Sequence, residues 1–478
     1  MIASPLAPAW LEHPRDANDL PQTVWPANAR RGASGSLQLA GVDAKELAAR
    51  FGTPLYVMDE ADVRGRAQHA RECFEREFAR IGSSAKVYYA GKAFLCTEVA
   101  RWVTEAGLSI DVCSGGELAV ALAAAIAPER LGFHGNNKSV AEIERAVQVG
   151  IGVIVLDSLI EIGRVAAAAE HHGLIQPVRL RVNTGVHAHT HEYLATARED
   201  QKFGIALADA AAAVAAIRAH PTLEFLGLHG HIGSQIFGAD GFAESASRLL
   251  ELHAALLDGG PIPELNLGGG FGIAYTRVDQ AMPLDELARR LADIVQSQCA
   301  RLQIPVPVVA VEPGRSIVGP STVTLYEVGT VKDVSVDATG ATGATRKYVS
   351  VDGGMSDNVR PALYAADYSV RIAGRTSAAE PALVRIAGKH CESGDIVVHA
   401  DYLPGDVTPG DLLAVPATGA YCWSMASNYN YLGRPAVVAV HDGAARIIVR
   451  GETEADLLSR DAGIRIDDDS ASSRNGNE

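Results

Sequence analysis

The sequence predicts an α/β protein in which a TIM (β/α)8 barrel is followed by a β-rich domain of the barrel or sandwich type. Eight short strand-like runs alternate with amphipathic helical segments between residues 59 and 315, which matches such a barrel in number and length. After residue 315 the helical pattern almost disappears, and Val-rich runs separated by Gly, Asp and Pro follow. An open doubly wound sheet is the alternative for the first region, but eight regular repeats without a nucleotide fingerprint favour a closed barrel.

The segment before the barrel divides into an arm and a pair of strands. Residues 1–35 form a polar arm containing Pro, Asp, Asn and Arg, without the basic start and apolar core of a signal peptide. Strand-like runs at 37–42 and 54–58 then flank a helical pattern over 43–50. We predict that residues 36–58 join the β-rich domain, so that the barrel, at residues 59–315, interrupts the sequence of that domain.

The barrel elements follow one another at regular intervals. Strands are predicted at 86–92, 108–113, 130–134, 152–157, 177–183, 224–231, 263–268 and 308–312. The clearest helical segments between them, rich in Ala, Glu and Arg, cover 138–149, 206–219 and 283–302. Each strand is therefore separated from the next by a segment long enough for a crossover connection.

The β-rich domain is predicted over residues 316–460. Its strand-like runs lie at 321–334, 346–352, 383–387, 395–399, 411–415 and 436–450. Residues 461–478 are predicted to be a disordered tail, because the final part, residues 467–478, is acidic and rich in Ser and Asn.

Composition excludes several classes of protein. The net charge of −15 argues against nucleic acid or an anionic membrane as a partner. No apolar run approaches the ~18 residues that a membrane-spanning helix needs. The six cysteines show no CxxC spacing, which favours reduced thiols over disulfides or structural zinc. We therefore expect a cytoplasmic protein.

The residues at the carboxyl ends of the predicted barrel strands belong together, because that rim carries the active site of a TIM barrel. In strand order they are Lys92, Asp111, His134, Arg181, Asn183, His229, His231, Ser234, Gly268, Gly269, Gly270, Glu312, Gly314 and Arg315. A lysine at the end of a buried strand loses hydration, which makes its neutral amine available for a Schiff base. Glycine-rich backbone after a late strand suits a phosphate. A cofactor with an aldehyde and a phosphate is indicated, and pyridoxal 5′-phosphate has both.

Several short motifs occur in the order found in one known family. They are Ala90-Gly91-Lys92, His231-Ile232-Gly233-Ser234, Gly268-Gly269-Gly270, Glu312-Pro313-Gly314-Arg315 and Cys391-Glu392-Ser393-Gly394-Asp395. From about residue 37 to residue 449 the chain resembles the pyridoxal-phosphate-dependent decarboxylases of the alanine-racemase-like fold, and within them it is most similar to the branch that acts on meso-diaminopimelate. The resemblance implies decarboxylation of that substrate to L-lysine and CO2, the last step of lysine biosynthesis.

The resemblance also assigns roles to particular residues. It implies that Lys92 forms the covalent link to the cofactor and that His231 stacks on the pyridine ring. Residues implied to help hold the cofactor are Asp111, His134, Ser234, Gly270, Glu312, Gly314, Arg315 and Tyr421. A carboxylate such as Glu312 beside the ring nitrogen favours the protonated, electron-accepting form of the cofactor. A racemase on the same fold is implied to place an arginine there, so Glu312 favours a decarboxylase.

The substrate side is predicted partly in the second domain. Arg315 and Arg360 both suit a carboxylate, which guanidinium groups bind in a bidentate manner, and Tyr364 follows in the same loop as Arg360. Glu392 suits an ammonium group, and Tyr421 is placed to contact cofactor and substrate. A substrate with a distal carboxylate and a distal ammonium is a diamino dicarboxylic acid. Ornithine or arginine, the alternative substrates, leave the arginine pair without a partner.

Assembly follows from the resemblance. Relatives in this family build each site across a two-fold dimer, which implies a homodimer with shared active sites. Cys391, the expected proton donor that replaces CO2, and Glu392 would then complete the site of the partner subunit. Arg315 would serve the subunit that carries Lys92.

A metal-dependent TIM-barrel hydrolase is the main alternative function. His187, His189 and His191 alternate along the chain, and His229 with His231 forms a further pair. Against a metal site, the eighth strand lacks the aspartate that such enzymes use, and Lys92 would have no role. A catalytically silent binding protein is disfavoured because Lys92, Glu312 and Cys391 are all present.

Overall fold

The computed structural model of the chain describes residues 4–186, 202–338 and 341–463. Over this described part, we find no helix with both the length and the apolar character needed to cross a membrane. The architecture is the predicted one: a closed parallel barrel of eight strands, accompanied by a β-rich domain built on a nine-stranded sheet.

The N-terminal arm packs against the folded protein although its composition is polar. Leu11 is buried beside Leu383 and Tyr402 of the β-rich domain, and Trp25 is 1% exposed in an apolar cluster that includes Val323. These few apolar residues anchor the arm. Its elements and those that follow are the strands β1 (Ala29–Arg31), β2 (Leu37–Leu39) and β3 (Val42–Asp43), the helix α1 (Ala44–Phe51) and the strand β4 (Leu55–Asp59).

The run at 37–42 does not form one strand of the β-rich domain as predicted. It folds back at Ala40 and Gly41, whose φ angles are 46° and 87°, and the resulting β2 and β3 form a separate three-stranded sheet with β1. The small sheet is joined to the large one by a hydrogen bond from Leu37 N to Ala373 O (2.7 Å) and by shared apolar packing. A two-residue turn that accepts positive φ is the reason for the difference.

The eight predicted barrel strands are all present. They and one short addition are β5 (Ala85–Ala90), β6 (Ser109–Val112), β7 (Leu131–Phe133), β8 (Val153–Leu156), β9 (Gln176–Asn183), β10 (Ile205–Ala206), β11 (Leu223–His229), β12 (Glu264–Gly269) and β13 (Val308–Glu312). The two-residue β10 pairs only with β9. Parallel pairing of β13 with β5, and of β8 with β9, closes the barrel.

Helices surround the barrel and are set by their capping and apolar residues. They are α2 (Glu60–Arg80), α3 (Thr97–Glu105), α4 (Gly115–Ala123), α5 (Val140–Gln148), α6 (Leu159–His172), α7 (Leu207–Arg218), α8 (Asp240–Leu256) and α9 (Leu284–Leu302). At the start of α5, Ser139 Oγ accepts a hydrogen bond from Glu142 N (3.2 Å), and the Glu142 carboxylate accepts one from Ser139 N (2.9 Å). This reciprocal cap explains why the helix begins after residue 139.

The β-rich domain includes β4, a strand that precedes the barrel in the sequence. Its own elements are α10 (Arg315–Val318), β14 (Thr322–Ala338), β15 (Ala341–Val351), α11 (Arg360–Tyr364), β16 (Arg371–Ile372), β17 (Pro381–Ala387), β18 (Ile396–Pro404), β19 (Leu412–Pro416), β20 (Ala436–His441), β21 (Ala444–Val449) and α12 (Glu454–Leu458). β4 lies between β14, to which it is antiparallel, and β20, to which it is parallel. The predicted run 436–450 is divided by a turn at Asp442 and Gly443, where φ is 46° and 76°.

Candidate active site

Lys92 lies in a single 3₁₀ turn, Gly91–Ala93, directly after β5. The sequence predicts a strand up to residue 92, but the strand ends at Ala90. The chain turns at Gly91, where a Cβ would lie 2.8 Å from the carbonyl oxygen of Asp111, so a larger residue does not fit. Lys92 is therefore carried by a tight turn at the barrel rim and not by the strand itself.

This turn is held on both sides by backbone hydrogen bonds. Ala90 N donates to Pro313 O (3.0 Å), and Tyr421 N donates to Ala93 O (2.9 Å). A Cβ on Gly314 would lie 2.9 Å from the Ala90 Cβ, so a glycine is needed for the segment after β13 to pack this closely. The backbone beneath Lys92 is thus fixed by the segment after β13 and by a loop of the β-rich domain.

The pKa of Lys92 is not shifted in the direction that loss of hydration alone would give. Burial acts to lower the pKa of Lys92, but the nearby Tyr421, Cys113 and Glu312 outweigh it, and the pKa is raised from its ordinary value. The side chain itself is accessible from a cavity. Desolvation alone therefore does not favour a neutral amine at Lys92.

A buried cluster of acids and imidazoles surrounds Glu312, the last residue of β13. Glu312 Oε1 accepts a hydrogen bond from Asn266 Nδ2 (2.8 Å) and lies 3.0 Å from His229 Nε2. His134 Nε2 is 3.6 Å from the same oxygen and 3.1 Å from Asp111 Oδ1. All five side chains are buried, and four of them come from the ends of neighbouring strands.

The two acids of this cluster are shifted in opposite directions. Burial acts to raise the pKa of Glu312, but His134 and His229 outweigh it and hold that pKa well below its ordinary range. Burial raises the pKa of Asp111. Burial also lowers the pKa of His229 to about 4. Glu312 is thus the buried carboxylate that keeps its negative charge at neutral pH.

His231 is a neutral imidazole beside this cluster. Burial, together with the positive charges of Lys92 and Arg181, lowers the pKa of His231 well below its ordinary value. Its Nδ1 accepts a hydrogen bond from Gly269 N (3.4 Å). Its neighbour in the candidate metal pair, His229, faces Glu312 instead and groups with His134 and Glu312.

Two glycine-containing loops run side by side next to His231. Ile236 N donates to Gly270 O (2.9 Å), and Gly268 N donates to the Asn266 side chain (2.8 Å). Gly233 and Gly270 have φ angles of 130° and 99°, and a Cβ on Gly270 would overlap the carbonyl oxygen of Gly233. Only glycines allow this close approach, which leaves bare backbone facing the site.

A cavity of about 940 Å³ opens above Lys92. Residues from the arm, the barrel and the β-rich domain line it, among them Trp10, Lys92, Phe203, Ser234, Tyr275, Arg315, Arg360, Tyr364 and Tyr421. A pocket of this size is large enough for a small cofactor together with a substrate.

Arg315 enters the cavity wall from α10. Its guanidinium group donates to Ser234 Oγ (2.9 Å) and to the hydroxyl of Tyr275, and it lies 4.7 Å from the centroid of the Tyr421 ring. Arg315 is 8% exposed. All of these contacts are to neutral groups, so its charge is not balanced by them.

Arg360 approaches the same cavity from α11. It donates to Tyr368 Oη (2.6 Å) and lies 4.5 Å from the centroid of the Tyr275 ring. Within residues 4–186, 202–338 and 341–463, neither Arg315 nor Arg360 forms an ion pair with a carboxylate. Two nearly buried cations without an acidic partner carry a large desolvation cost, which an anionic ligand in the cavity would offset.

These groups fit pyridoxal 5′-phosphate. The accessible amine of Lys92 suits an aldehyde, and the buried charge of Glu312 suits a protonated ring nitrogen. The Ser234 hydroxyl, with the bare backbone around Gly233 and Gly270 and the unbalanced Arg315, suits a phosphate.

Cys391 and Glu392 do not reach this cavity. They lie in the loop between β17 and β18, where both are exposed, and Cys391 N donates to Asn430 Oδ1 (3.1 Å). The loop is well fixed, because Asp395 Oδ2 accepts hydrogen bonds from His390 N and is 2.8 Å from His390 Nδ1. A positioned but exposed thiol is thus presented away from the Lys92 of its own chain.

The structure brings most of the predicted site residues together. Lys92, Ser234, Arg315, Arg360, Tyr364 and Tyr421 line the cavity. Asp111, His134, His231, Gly270, Glu312 and Gly314 lie around or beneath it. His187, His189 and His191 lie outside the described residues.

Several residues of the site carry no role in the sequence prediction. Asn266 had a detectable signal, since it is a polar residue between two leucines in a buried strand. Trp10 and Tyr275 in the cavity wall, and Tyr368 behind Arg360, had none, because their places depend on contacts between distant parts of the chain.

Comparison with known proteins gives a consistent picture. The family model for the pyridoxal-binding domain of pyridoxal-dependent decarboxylases matches residues 60–319. A diaminopimelate decarboxylase of Mycobacterium tuberculosis is 52% identical over 448 residues, which covers 92% of this chain and 98% of the relative. One from Bacillus subtilis is 43% identical over 436 residues, which covers 90% of this chain and 96% of the relative.

Solved structures agree with the sequence relatives. Diaminopimelate decarboxylase from M. jannaschii superposes with a TM-score of 0.84 at 31% identity, covering 91% of this chain and 98% of that one. The Helicobacter pylori enzyme in complex with L-lysine gives a TM-score of 0.77 at 28% identity, covering 87% of this chain and 98% of that one.

Proposed function

This chain belongs to the family of pyridoxal-dependent decarboxylases, and from that premise we propose that it converts meso-diaminopimelate into L-lysine and CO2. The observation that carries the substrate assignment is the pair of buried arginines, Arg315 and Arg360, which face the Lys92 cavity without an acidic partner in the described chain. Arg315 also lies beside the groups that suit the cofactor phosphate, and a diamine-forming substrate such as ornithine has no distal carboxylate to balance Arg360.

Pyridoxal 5′-phosphate, when bound, supplies the electron-accepting ring that stabilises the carbanion left by departing CO2. Lys92 would hold it through Nζ, and Ser234 with the backbone around Gly270 would bind the phosphate. His231, neutral because of its low pKa, offers a flat uncharged surface against the ring. The turn beneath Lys92 keeps Nζ at one place on the cavity floor.

Glu312 would keep a proton on the pyridine nitrogen. Its charge is maintained inside the protein by the imidazoles of His134 and His229, and Asn266 fixes the orientation of the carboxylate. Burial raises the pKa of Asp111 in the same cluster, so its negative charge is less favoured than that of Glu312. Glu312 is thus the one acid placed to stabilise a positive ring nitrogen.

Arg360 would bind the carboxylate of the substrate that does not react. Its guanidinium is oriented by Tyr368 and by the face of Tyr275, so little freedom is lost on binding. Arg315 and Tyr421 lie between this end and Lys92. The substrate would therefore extend from Lys92 toward the β-rich domain.

We also propose that the site is completed by a second copy of the chain, as a homodimer. Cys391 is exposed and lines no cavity with Lys92, and large exposed side chains lie near its loop or beside the cavity, including Leu363, Tyr364, Tyr429 and Tyr431. Exposed aromatic surface of this kind marks interfaces. The partner subunit's Cys391 would deliver a proton to the substrate carbon, and the partner's Glu392 would bind its distal ammonium. Cytoplasmic location stays a prediction.

The substrate assignment is tested with the purified protein loaded with pyridoxal 5′-phosphate. Incubation with meso-diaminopimelate, ornithine and arginine in parallel should release CO2 at a substantial rate only from the first, with L-lysine as the amino acid product. Equal or faster release from ornithine would overturn the assignment. Product stereochemistry tests whether the D centre is the one cleaved.

The shared site is tested by mixing two inactive variants, Lys92→Ala and Cys391→Ala. In a mixed dimer one site carries both defects and the other carries neither, so random reassociation should restore about a quarter of wild-type activity. Subunit exchange is first shown with differently tagged chains. Exchange without recovered activity would mean that each site is confined to one chain.

A further inference from the structure

A second group of chemically reactive side chains lies on the outer surface of the barrel. His69 and Cys73 are four residues apart on α2 and therefore share a face of the helix. Asp285, in the first turn of α9, meets them across the groove between the two helices. The three residues take no part in the Lys92 cavity.

From this cluster we infer a binding site for one divalent transition metal ion, of which Zn²⁺ is the best match. The ligands would be His69 Nε2, Cys73 Sγ and Asp285 Oδ2, with water in the fourth position. Imidazole, thiolate and carboxylate are all ligands that Zn²⁺ accepts, whereas Mg²⁺ and Ca²⁺ prefer oxygen alone.

The donor atoms lie close together, at or slightly below the spacing that this coordination needs. His69 Nε2 is 3.1 Å from Asp285 Oδ2 and 3.4 Å from Cys73 Sγ, and Cys73 Sγ is 3.0 Å from Asp285 Oδ1. Tetrahedral zinc with bonds of about 2.0 to 2.3 Å holds its ligand atoms roughly 3.3 to 3.6 Å apart. The side chain of His69 is half exposed.

The surroundings support three protein ligands and one open position. His69 and Asp285 are 51% and 52% exposed, so water and a metal ion can reach the cluster from one side. Arg76 donates to Asp285 Oδ1 (2.8 Å), which fixes the carboxylate and leaves Oδ2 for the metal. The charge of Arg76 is itself balanced by Glu77, at 3.1 Å.

Metal binding would exchange a proton for the ion. Cysteine binds zinc as the thiolate, so a protonated thiol must give up its proton to become a ligand. On coordination the S–H bond breaks, the proton goes to solvent and the sulfur's electron pair forms the bond to the metal. Binding should therefore release one proton per ion.

The position of the site suggests what it does. α2 precedes the first barrel strand, β5, and α9 precedes the last, β13, and these two strands pair directly. A metal bound by both helices would hold together the seam at which the barrel closes, and its binding should raise the unfolding temperature.

Cobalt(II), which replaces zinc and absorbs visible light, is the probe. Titration of the cofactor-loaded protein should give tetrahedral ligand-field bands that saturate at one ion per chain and disappear on addition of Zn²⁺. Calorimetry in buffers of different ionisation enthalpy should show the released proton. No saturable band at one equivalent would overturn the proposal.

Matched variants identify the ligands. His69→Ala should weaken cobalt binding by at least ~100-fold, since even loss of an outer-sphere contact costs 10- to 100-fold. His171→Ala, which alters the other exposed histidine cluster, should leave it unchanged. Cys73→Ser should abolish the thiolate charge-transfer band, whereas Cys299→Ser, at another buried thiol, should not. A band that survives both His69→Ala and Cys73→Ser would place the metal elsewhere and refute the site.

Discussion

Two of the buried ionic clusters in the described part of the barrel lie at opposite ends of it, and they differ in how their charges are balanced. At the end where the strands begin, Glu264 is bonded to Arg179 (2.6 Å) and to Lys86, and Arg179 also donates to Tyr88 Oη (3.1 Å). At the end where the strands finish, Glu312 is surrounded by imidazoles, and the nearby Arg315 lacks an acidic partner in the described chain.

The difference separates a structural cluster from a functional one. Charges that balance one another inside the protein hold the strands together and need no ligand. Charges left unbalanced at the rim of a cavity cost stability in the free protein, and binding recovers that cost. The comparison yields experiments that change one end of the barrel at a time.

The largest effect is expected at the rim, from Lys92→Ala. Loss of the amine should lower turnover by several orders of magnitude and remove the borohydride-stable cofactor label from the peptide that contains residue 92. Because Lys92 forms no ion pair with a carboxylate within the described residues, the unfolding temperature should hardly change. Label that persists on another lysine would show that Lys92 is not the attachment point.

At the opposite end, Glu264→Gln should cost about 3 to 5 kcal/mol of stability, because it leaves the fully buried Arg179 without its counter-charge. Denaturant unfolding measures this loss. Glu286→Gln, which removes a carboxylate from an exposed ion pair on α9, is the control and should shift the midpoint much less. A large loss of turnover per folded molecule in the Glu264 variant would contradict the division between the two ends.

The same cluster predicts a pH dependence. Burial acts to raise the pKa of Glu264, but Arg179 and Lys86 outweigh it, so the pKa is lower in the folded protein than in the unfolded chain. The stabilisation is complete above the unfolded value of about 4.3 and is lost as the pH falls through the lower folded value. Acid unfolding curves should show this component in the wild type and lack it in Glu264→Gln.

A smaller effect is expected from Arg360→Ala. It should lower kcat/KM for meso-diaminopimelate, with a loss of transition-state stabilisation of about 2 to 4 kcal/mol, the cost of losing a charge-assisted contact. The slow reaction of lysine should hardly change. Equal losses on both substrates would mean that Arg360 is needed only for the fold.

The smallest effect concerns the arm. Trp10 comes from the arm and lines the cavity wall, so Trp10→Ala should weaken apparent binding of meso-diaminopimelate, measured as a rise in KM, by about 1 kcal/mol or less and leave kcat unchanged. Trp10→Phe, which keeps an aromatic wall, should behave like the wild type. A fall in kcat without a change in KM would argue against contact with the substrate.

The barrel could be predicted from the sequence because its strands are short, regular and apolar. All eight lie within a few residues of their predicted positions, and their ends gave Lys92, His231 and Glu312. Periodicity could not reveal the turn that carries Lys92, since it depends on contact between Gly91 and Asp111 in another strand. The roles of Trp10 and Tyr275 were missed for the same reason.

The position of β4 has a consequence for how the chain is made. This strand is complete by Asp59, yet its parallel neighbour β20 begins roughly 380 residues later. At synthesis rates of about 5 to 20 residues per second, one edge of β4 waits for ~20 to 75 seconds before its partner exists. During that interval the barrel helices and strands can already form from local contacts. A chain released before β20 is made therefore has an unpaired apolar strand edge at β4, and such an edge promotes aggregation or degradation.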